Sequence, residues 1–289
     1  MRLVSYRDGD GWRPGVLVGD SVVDVDRCGG TWGSVKELIA TASATDLGKL
    51  ASEAERVGAD AGIALADVVL GPPIPDPEKV LCIGLNYRDH VEEAKDVVGA
   101  VPDPVVFAKF PNALVGDGAD VVLPAAAPDQ VDYEGELAVV IGKTASRVSQ
   151  ADALDHVAGY MNMNDVSARD LQLGSPQWTM GKAFDTSGPC GPALVTRDEV
   201  PDPQDLELET ILNGEIVQST STGLMIHSIA RLVEYISSVI TLVPGDIIST
   251  GTPAGVGLTR DPKLFMRDGD SVTVRITGLG ELTNPVVAA

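Results

Sequence analysis

Basic residues are in short supply in this sequence: 21 Lys and Arg stand against 42 Asp and Glu, a formal net charge of −21. Binding along a phosphate backbone needs a basic face, so nucleic acid is excluded as a partner. Long hydrophobic runs are missing too. No stretch approaches the roughly 18 apolar residues that a membrane-crossing helix needs. The start, Met1-Arg-Leu-Val-Ser-Tyr-Arg7, turns polar too soon for a signal peptide. Cysteine is limited to Cys28, Cys82 and Cys190, an odd number that matches no metal spacing. Reduced thiols and a cytoplasmic location are the expectation. Aromatic residues make up 4% of the chain against 44% hydrophobic residues overall, so the core has to be aliphatic. At 289 residues the chain can form one large domain, or a large one and a small one.

What is present reads mostly as strands. Leu3 to Tyr6, Gly15 to Val18 and Ser21 to Val25 are short apolar runs separated by Gly- and Asp-rich turns. Ser34-Val-Lys-Glu37 fits a capping box ahead of a helix. A second helix is expected over Asp46 to Val57, with Leu47, Leu50 and Ala51 on one face. Gly71-Pro-Pro-Ile-Pro-Asp-Pro77 is then an extended linker or seam, because proline fixes φ and removes amide donors. The chain divides there into a small N-terminal β/α domain, 1–70, and a larger domain, 71–289. In the latter, Val80 to Gly84 and Val105 to Phe107 read as strands, and Arg88 to Lys95 as a helix. Leu206 to Val217 is a hairpin turning at Asn213-Gly214, the type I′ pair. Ile229, Val233, Ile236 and Ile240 share one face of a helix over Ile226 to Ile240. Asp246 to Thr250 and Ser271 to Ile276 close the domain as strands. The fold class is α+β, mostly β.

Glu134 and Glu136 stand one residue apart in Val131-Asp-Tyr-Glu-Gly-Glu-Leu-Ala-Val-Val-Ile-Gly142. Leu137 to Ile141 is a buried strand by composition, and alternate residues of a strand face the same side. The two carboxylates therefore project together from its mouth, where they repel unless a cation lies between them. Asp165 closes another apolar segment in Met163-Asn-Asp-Val-Ser-Ala-Arg-Asp170. Three hard oxygen donors without a Cys or His cluster suit Mg²⁺ or Mn²⁺, with Ca²⁺ as a substitute, better than Zn²⁺. A solvated, acid-rich strand end is the alternative on spacing alone. His90 and Glu93 lie three apart on a helix, hence on one face, where a carboxylate fixes the imidazole tautomer and raises its basicity. A surface pair is the alternative. Arg169 and Gln172 follow Asp165 by four and seven, so a helical turn would gather all three. Arg169 equally suits a structural ion pair with Asp170 or another acid. Glu92 faces elsewhere on its helix, and His156 and His227 read as structural residues in or beside helices. Gly142-Lys-Thr144 lacks the earlier glycine of a phosphate loop, because Leu137 occupies that place.

Four strings occur in series around these acids: Ile83-Gly-Leu-Asn-Tyr-Arg-Asp-His-Val-Glu-Glu93, Asp165-Val-Ser-Ala-Arg-Asp-Leu-Gln172, Gly181-Lys-Ala-Phe-Asp-Thr-Ser-Gly-Pro-Cys-Gly-Pro192 and Pro244-Gly-Asp-Ile-Ile-Ser-Thr-Gly-Thr-Pro-Ala-Gly-Val-Gly257. In this order, over Pro73 to Val286, the chain resembles the fumarylacetoacetate hydrolase family. The resemblance implies a mixed β-roll catalytic domain, a homodimer, and Glu134, Glu136 and Asp165 as metal ligands. It further implies that His90 and Glu93 lie on a segment that closes over bound ligand and position an attacking water. Lys182 would stabilise an enolate, Arg169 and Gln172 would contact substrate or brace the metal shell, and Thr252 would meet the substrate carboxylate. Lys109 is a second candidate for that last task.

The resulting expectation is a metal-dependent hydrolase that takes a small anionic 2-oxo acid with a second carbonyl or carboxyl at C4. Water activated by His90 and Glu93 would attack the distal carbonyl, breaking the C–C bond of an acylpyruvate and leaving an enolate. Decarboxylation of an oxaloacetate-type acid, or isomerisation of a 2-hydroxyhepta-2,4-diene-1,7-dioate-type acid, would use the same site. A non-catalytic scaffold would not need the lysine, the His–Glu pair and the glycine-rich anion loop together.

Overall fold

The structure, a computed structural model, describes residues 1–93 and 103–289. Its largest sheet has 11 strands. Ten run in the spatial order Ile63–Ala64, Ser21–Asp24, Gly11–Val18, Arg2–Asp8, Gly188–Thr196, Val157–Asn164, Gly135–Ile141, Ile247–Ser249, Val80–Gly84 and Val105–Lys109. Leu114–Val115 joins Gly188–Thr196 in parallel, and Ile247–Ser249 runs parallel to Val80–Gly84; the remaining pairs are antiparallel. A five-stranded sheet orders Glu215–Ser221, Glu207–Leu212, Ser271–Ile276, Gly280–Ala288 and Val121–Leu123. Val131–Asp132 pairs with Ser167–Ala168 in a third, small sheet. This is the mostly β, α+β architecture expected.

Every residue of Gly135–Ile141 is buried, and its alternation shows why. Leu137, Val139 and Ile141 pack with Ile229, Val233 and Ile236 of a helix over Ile229–Ser237. Ala138 and Val140, facing the other way, pack with Leu3, Val16, Leu38 and Leu50 of the first seventy residues. The N-terminal segment thus covers one face of the strand that carries the acids. Arg2–Asp8 also pairs directly with Gly188–Thr196, Leu3 opposite Leu194. The two segments divided at residue 70 share one sheet, and their separation into domains is a proposal about independent folding.

Gly71 to Pro77 is largely buried and packed rather than a solvated linker. Gly71 N–H donates to Ser5 O at 2.8 Å, and Ser5 Oγ donates to Pro73 O at 2.9 Å. The helices follow the sequence with shifted ends. Ser34 caps Val35–Thr41 by accepting Glu37 N–H, but the Glu37 carboxylate takes Gly33 N–H, so the box closes on one side only. A full capping box forms instead between Ser43 and Asp46, and that helix runs longer than expected, Ala44–Ala61. The Ile226 to Ile240 expectation is corrected to Ile229–Ser237, because Ser228 caps the start; Ile240 leaves the helix and is exposed. The Arg88 to Lys95 helix is seen as Arg88–Glu93, with Ala94 and Lys95 outside the described residues. Asn213 and Gly214 have φ of 53° and 85°, as the expected hairpin turn requires.

Candidate active site

Antiparallel pairing brings the acids together. Gly135 lies opposite Asn164, so Glu134 and Asp165 leave their strands side by side. Asp165 N–H donates to Glu134 O at 2.8 Å, and Glu134 N–H donates to Asn164 Oδ1 at 3.0 Å. Glu136 projects two residues on, to the same side. One oxygen from each of Glu134, Glu136 and Asp165 lies within 4.8 Å of the others, and all three residues are buried.

Cations surround this group. Lys182 Nζ is 2.7 Å from Glu134 Oε2 and 2.8 Å from Asp165 Oδ2. Lys109 Nζ approaches Asp165 Oδ1 to 2.8 Å from the protein side and also donates to Ser187 O at 2.8 Å. Arg169 reaches Glu134 Oε1 at 2.7 Å and places Nε and a terminal nitrogen on Asp132 Oδ2, each at 2.8 Å. Burial alone would raise Glu134, but Lys182 and Arg169 outweigh it and hold the carboxyl below its ordinary range. Lys182 likewise titrates higher than usual: burial opposes its charge, and Asp165 and Glu134 overcome that. Glu136 differs. Burial first, then the charges of Asp165 and Glu134, push it well above the ordinary value. Its partners are neutral donors, the Ser249 hydroxyl and Gly251 N–H at 2.9 Å.

Among the described residues, Asp132, Glu134, Glu136 and Asp165 face Lys109, Arg169 and Lys182, and the uncompensated carboxyl is Glu136, which is raised toward its protonated form. A divalent cation among the three clustered carboxylates would take the place of that proton. An all-oxygen donor set fits Mg²⁺, Mn²⁺ or Ca²⁺.

The expected helical turn from Asp165 is corrected. Ser167–Ala168 is extended and paired with Val131–Asp132, and the helix begins only at Arg169. Arg169 meets Glu134 and Asp132 through that pairing, while Gln172 Oε1 accepts from Arg169 at 2.9 Å one turn on. Asp170 is exposed and is not the partner of Arg169. The short helix Thr179–Lys182 packs against this one so closely that a Cβ at Gly181 would lie 2.4 Å from Gln172 N. That contact aims Lys182 into the site, where its ammonium also lies 5.1 Å from the Phe107 ring centre.

His90 Nδ1 is 2.8 Å from Glu93 Oε1 on one helix face, as the spacing implies. Glu93 in turn accepts Gly255 N–H at 3.1 Å and the Thr259 hydroxyl at 3.0 Å. Burial raises it, but His90 and these donors prevail and keep it below its ordinary value. His90, Glu134, Glu136, Arg169, Gln172, Lys182 and Thr252 line one cavity, with Phe107, Trp178 and Leu258 among its apolar walls. Lys109 is not among the lining residues, since its ammonium is enclosed behind Asp165. His156 closes a 3₁₀ turn and His227 precedes the Ser228 cap; neither lines the cavity.

The glycine-rich loop does approach anions, but they belong to the protein. Gly251 N–H donates to Glu136, Gly255 N–H to Glu93, and Gly257 N–H to Asp132 at 2.7 Å. The Thr252 hydroxyl donates to Gly135 O at 3.0 Å and accepts from Gln218 Nε2 at 2.8 Å. Gln218 also accepts Gly135 N–H at 3.0 Å, tying the acidic strand to this loop. Sequence reasoning missed Asp132 and Gln218. Asp132 had a signal, for it continues the alternation Asp132, Glu134, Glu136. Gln218 had none, because it arrives from the other sheet.

The family model described as fumarylacetoacetate (FAA) hydrolase C-terminal matches residues 79–287. The chain is 45% identical over 224 residues to the oxaloacetate tautomerase FAHD2A, mitochondrial, of Bos taurus, covering 77% of this chain and 70% of that protein. Its structure is similar to the fumarylacetoacetate hydrolase of Exiguobacterium antarcticum, at 38% identity and TM-score 0.84 over the whole of both chains. It is also similar to a maleylpyruvate hydrolase of Sphingobium sp. SYK-6 in complex with manganese(II) and pyruvate. There the identity is 33% and the TM-score 0.82, again over the whole of both chains.

Proposed function

The chain belongs to the fumarylacetoacetate hydrolase family, and from that premise we propose that it moves a proton at C3 of a small 2-oxo dicarboxylic acid, interconverting enol and keto forms of an oxaloacetate-type substrate. One observation carries this reading: His90, held by Glu93 at 2.8 Å, lines the same cavity as Glu134 and Glu136 of the carboxylate cluster. Oxaloacetate tautomerases among relatives at 43–46% identity support it.

Mg²⁺ or Mn²⁺ held by Glu134, Glu136 and Asp165 would polarise the 2-oxo group and acidify C3. Glu93 holds Nδ1 of His90 as the protonated nitrogen, so Nε2 takes the proton from C3 in the enol direction and gives one to C3 in the keto direction, while the 2-oxygen gains or loses its proton in exchange with solvent. Lys182, fixed by two carboxylates, offers N–H to the oxygen on which enolate charge gathers. The guanidinium of Arg169 is committed to Asp132 and Glu134, so it braces. Gln172 gives its Oε1 to Arg169 and keeps its NH₂ for a substrate carboxylate. A homodimer and a cytoplasmic location are part of this proposal.

A second reading is C–C hydrolysis of an acylpyruvate, the reaction expected first from the sequence. Full-length similarity to a maleylpyruvate hydrolase favours it. Here the same His90–Glu93 pair would draw a proton from water instead of C3. The two separate in one experiment with the Mg²⁺- or Mn²⁺-loaded protein. Oxaloacetate and acetylpyruvate are followed by enol absorbance, by deuterium uptake at C3 and by product analysis. Accelerated enol loss and C3 exchange without pyruvate supports tautomerisation. Equimolar acetate and pyruvate from acetylpyruvate would replace it with hydrolysis, pyruvate from oxaloacetate would replace it with decarboxylation, and no turnover of either substrate would overturn both readings.

A further inference from the structure

We propose that Asp132 is a positioning residue: it locks the loop over 251–259 to the carboxylate cluster and, through that loop, seats the His90–Glu93 pair. This deepens the reading above, in that it rests on His90 as the base. Asp132 is wholly buried and does not line the cavity, so any effect on the reaction has to pass through its neighbours. Its Oδ1 accepts Gly257 N–H at 2.7 Å and Tyr133 N–H at 2.9 Å. Its Oδ2 accepts Leu258 N–H at 3.0 Å and Arg169 Nε–H at 2.8 Å. One carboxylate thus grips two consecutive amides of the loop on one side and the arginine that reaches Glu134 on the other.

The loop is built for this grip. A Cβ at position 257 would lie 1.7 Å from Leu264 O and 2.7 Å from Asp132 Oδ1, so only glycine lets the backbone come this near. The same loop gives Gly251 N–H to Glu136, and Gly255 N–H and the Thr259 hydroxyl to Glu93. Three carboxylates with different tasks are held in register by one strap, and Asp132 is the one with no task at the cavity. Removing its charge releases the strap at 257–258 and Arg169 at once. Glu93 then loses fixed donors, and His90 loses a fixed tautomer.

The test is Asp132→Asn in the full chain, with imidazole ¹⁵N shifts, kcat, KM and Mn²⁺ affinity measured. With three histidines in the chain, a His90→Ala spectrum identifies the His90 signals by difference. We expect the Nδ1-protonated preference of His90 to weaken, kcat to fall by roughly tenfold or more with KM moving less, and Mn²⁺ affinity to change by less than about tenfold. Should Asp132→Asn fail to fold, Thr259→Val decides, since it removes one part-buried donor to Glu93 and should shift His90 in the same direction. A folded Asp132→Asn, or Thr259→Val, with unchanged His90 signals overturns the proposal and leaves Asp132 a structural ion pair. Full turnover by His90→Ala would instead overturn His90 as base, while the spectra still report whether Asp132 seats it.

Discussion

Lys182 holds its ammonium 2.7 Å from Glu134 and, from the same position, 2.8 Å from Asp165. A single side chain thus rests against two of the three carboxylates that can hold a cation. Breaking a buried pair by removing one partner costs about 3–5 kcal/mol, because it strands the other charge. Lys182→Met should therefore lower the melting temperature of the metal-free protein, and Mn²⁺ should recover more stability in the variant than in the wild type. In turnover, kcat should fall more than KM rises, since enolate charge develops toward the transition state. Oxalate, a planar mimic of that enolate, should bind the variant less tightly. Normal kcat with unchanged oxalate affinity would make Lys182 a structural lysine.

The proposed metal ligation rests on Glu134, Glu136 and Asp165, whose carboxylates cluster. Glu134→Gln and Asp165→Asn should each weaken Mn²⁺ binding by tenfold or more, about 1.4 kcal/mol, and remove turnover. Calorimetric titration reads this directly. Unchanged affinity in both variants would take the metal away from these acids.

In the proposed reaction the His90–Glu93 pair acts as a unit. His90→Ala should lower kcat by roughly 10²–10⁴ while metal affinity holds. Adding Glu93→Ala should then cost little more. Fully additive losses would show that the two residues work separately.

Glu93 also predicts a pH dependence. Its folded value lies below its unfolded one, owing to His90, Gly255 and Thr259. Such a group stabilises the fold above its unfolded value, and that stability drains as pH falls through the folded value. The stability gap between wild type and Glu93→Gln, measured by denaturant titration, should be widest at neutral pH and shrink as pH drops below about 4.5. A gap that stays constant down to pH 3 would remove this linkage.

Much of the site was legible because its residues sit in short, strongly patterned strings. Glu134 and Glu136 share a face by strand alternation, and His90 and Glu93 by helical spacing; both local rules held. Arg169 shows where local rules stop. Counting from Asp165 suggested one helical turn, yet an extended pair of residues intervenes, and Arg169 finds Glu134 by strand pairing instead. Gln218 was invisible for a related reason: its amide matters only because the second sheet delivers it to Gly135 and Thr252.

By itself the sequence determined the chemistry on offer: three oxygen donors, a base pair, a lysine and a glycine-rich loop on a mostly β frame. It did so because residue type and spacing along a strand or helix fix which groups share a face. Tertiary structure alone decided how the charges were apportioned. Lys109 lies enclosed behind Asp165 while Lys182 lines the cavity, and among the described residues Glu136 is bonded by neutral donors while Glu134 has two cations. The loop glycines face Glu136, Glu93 and Asp132 because two strands and a helix distant in the chain bring those carboxylates there. Coulomb energies depend on distance and burial, and both are set by contacts between residues far apart in the chain.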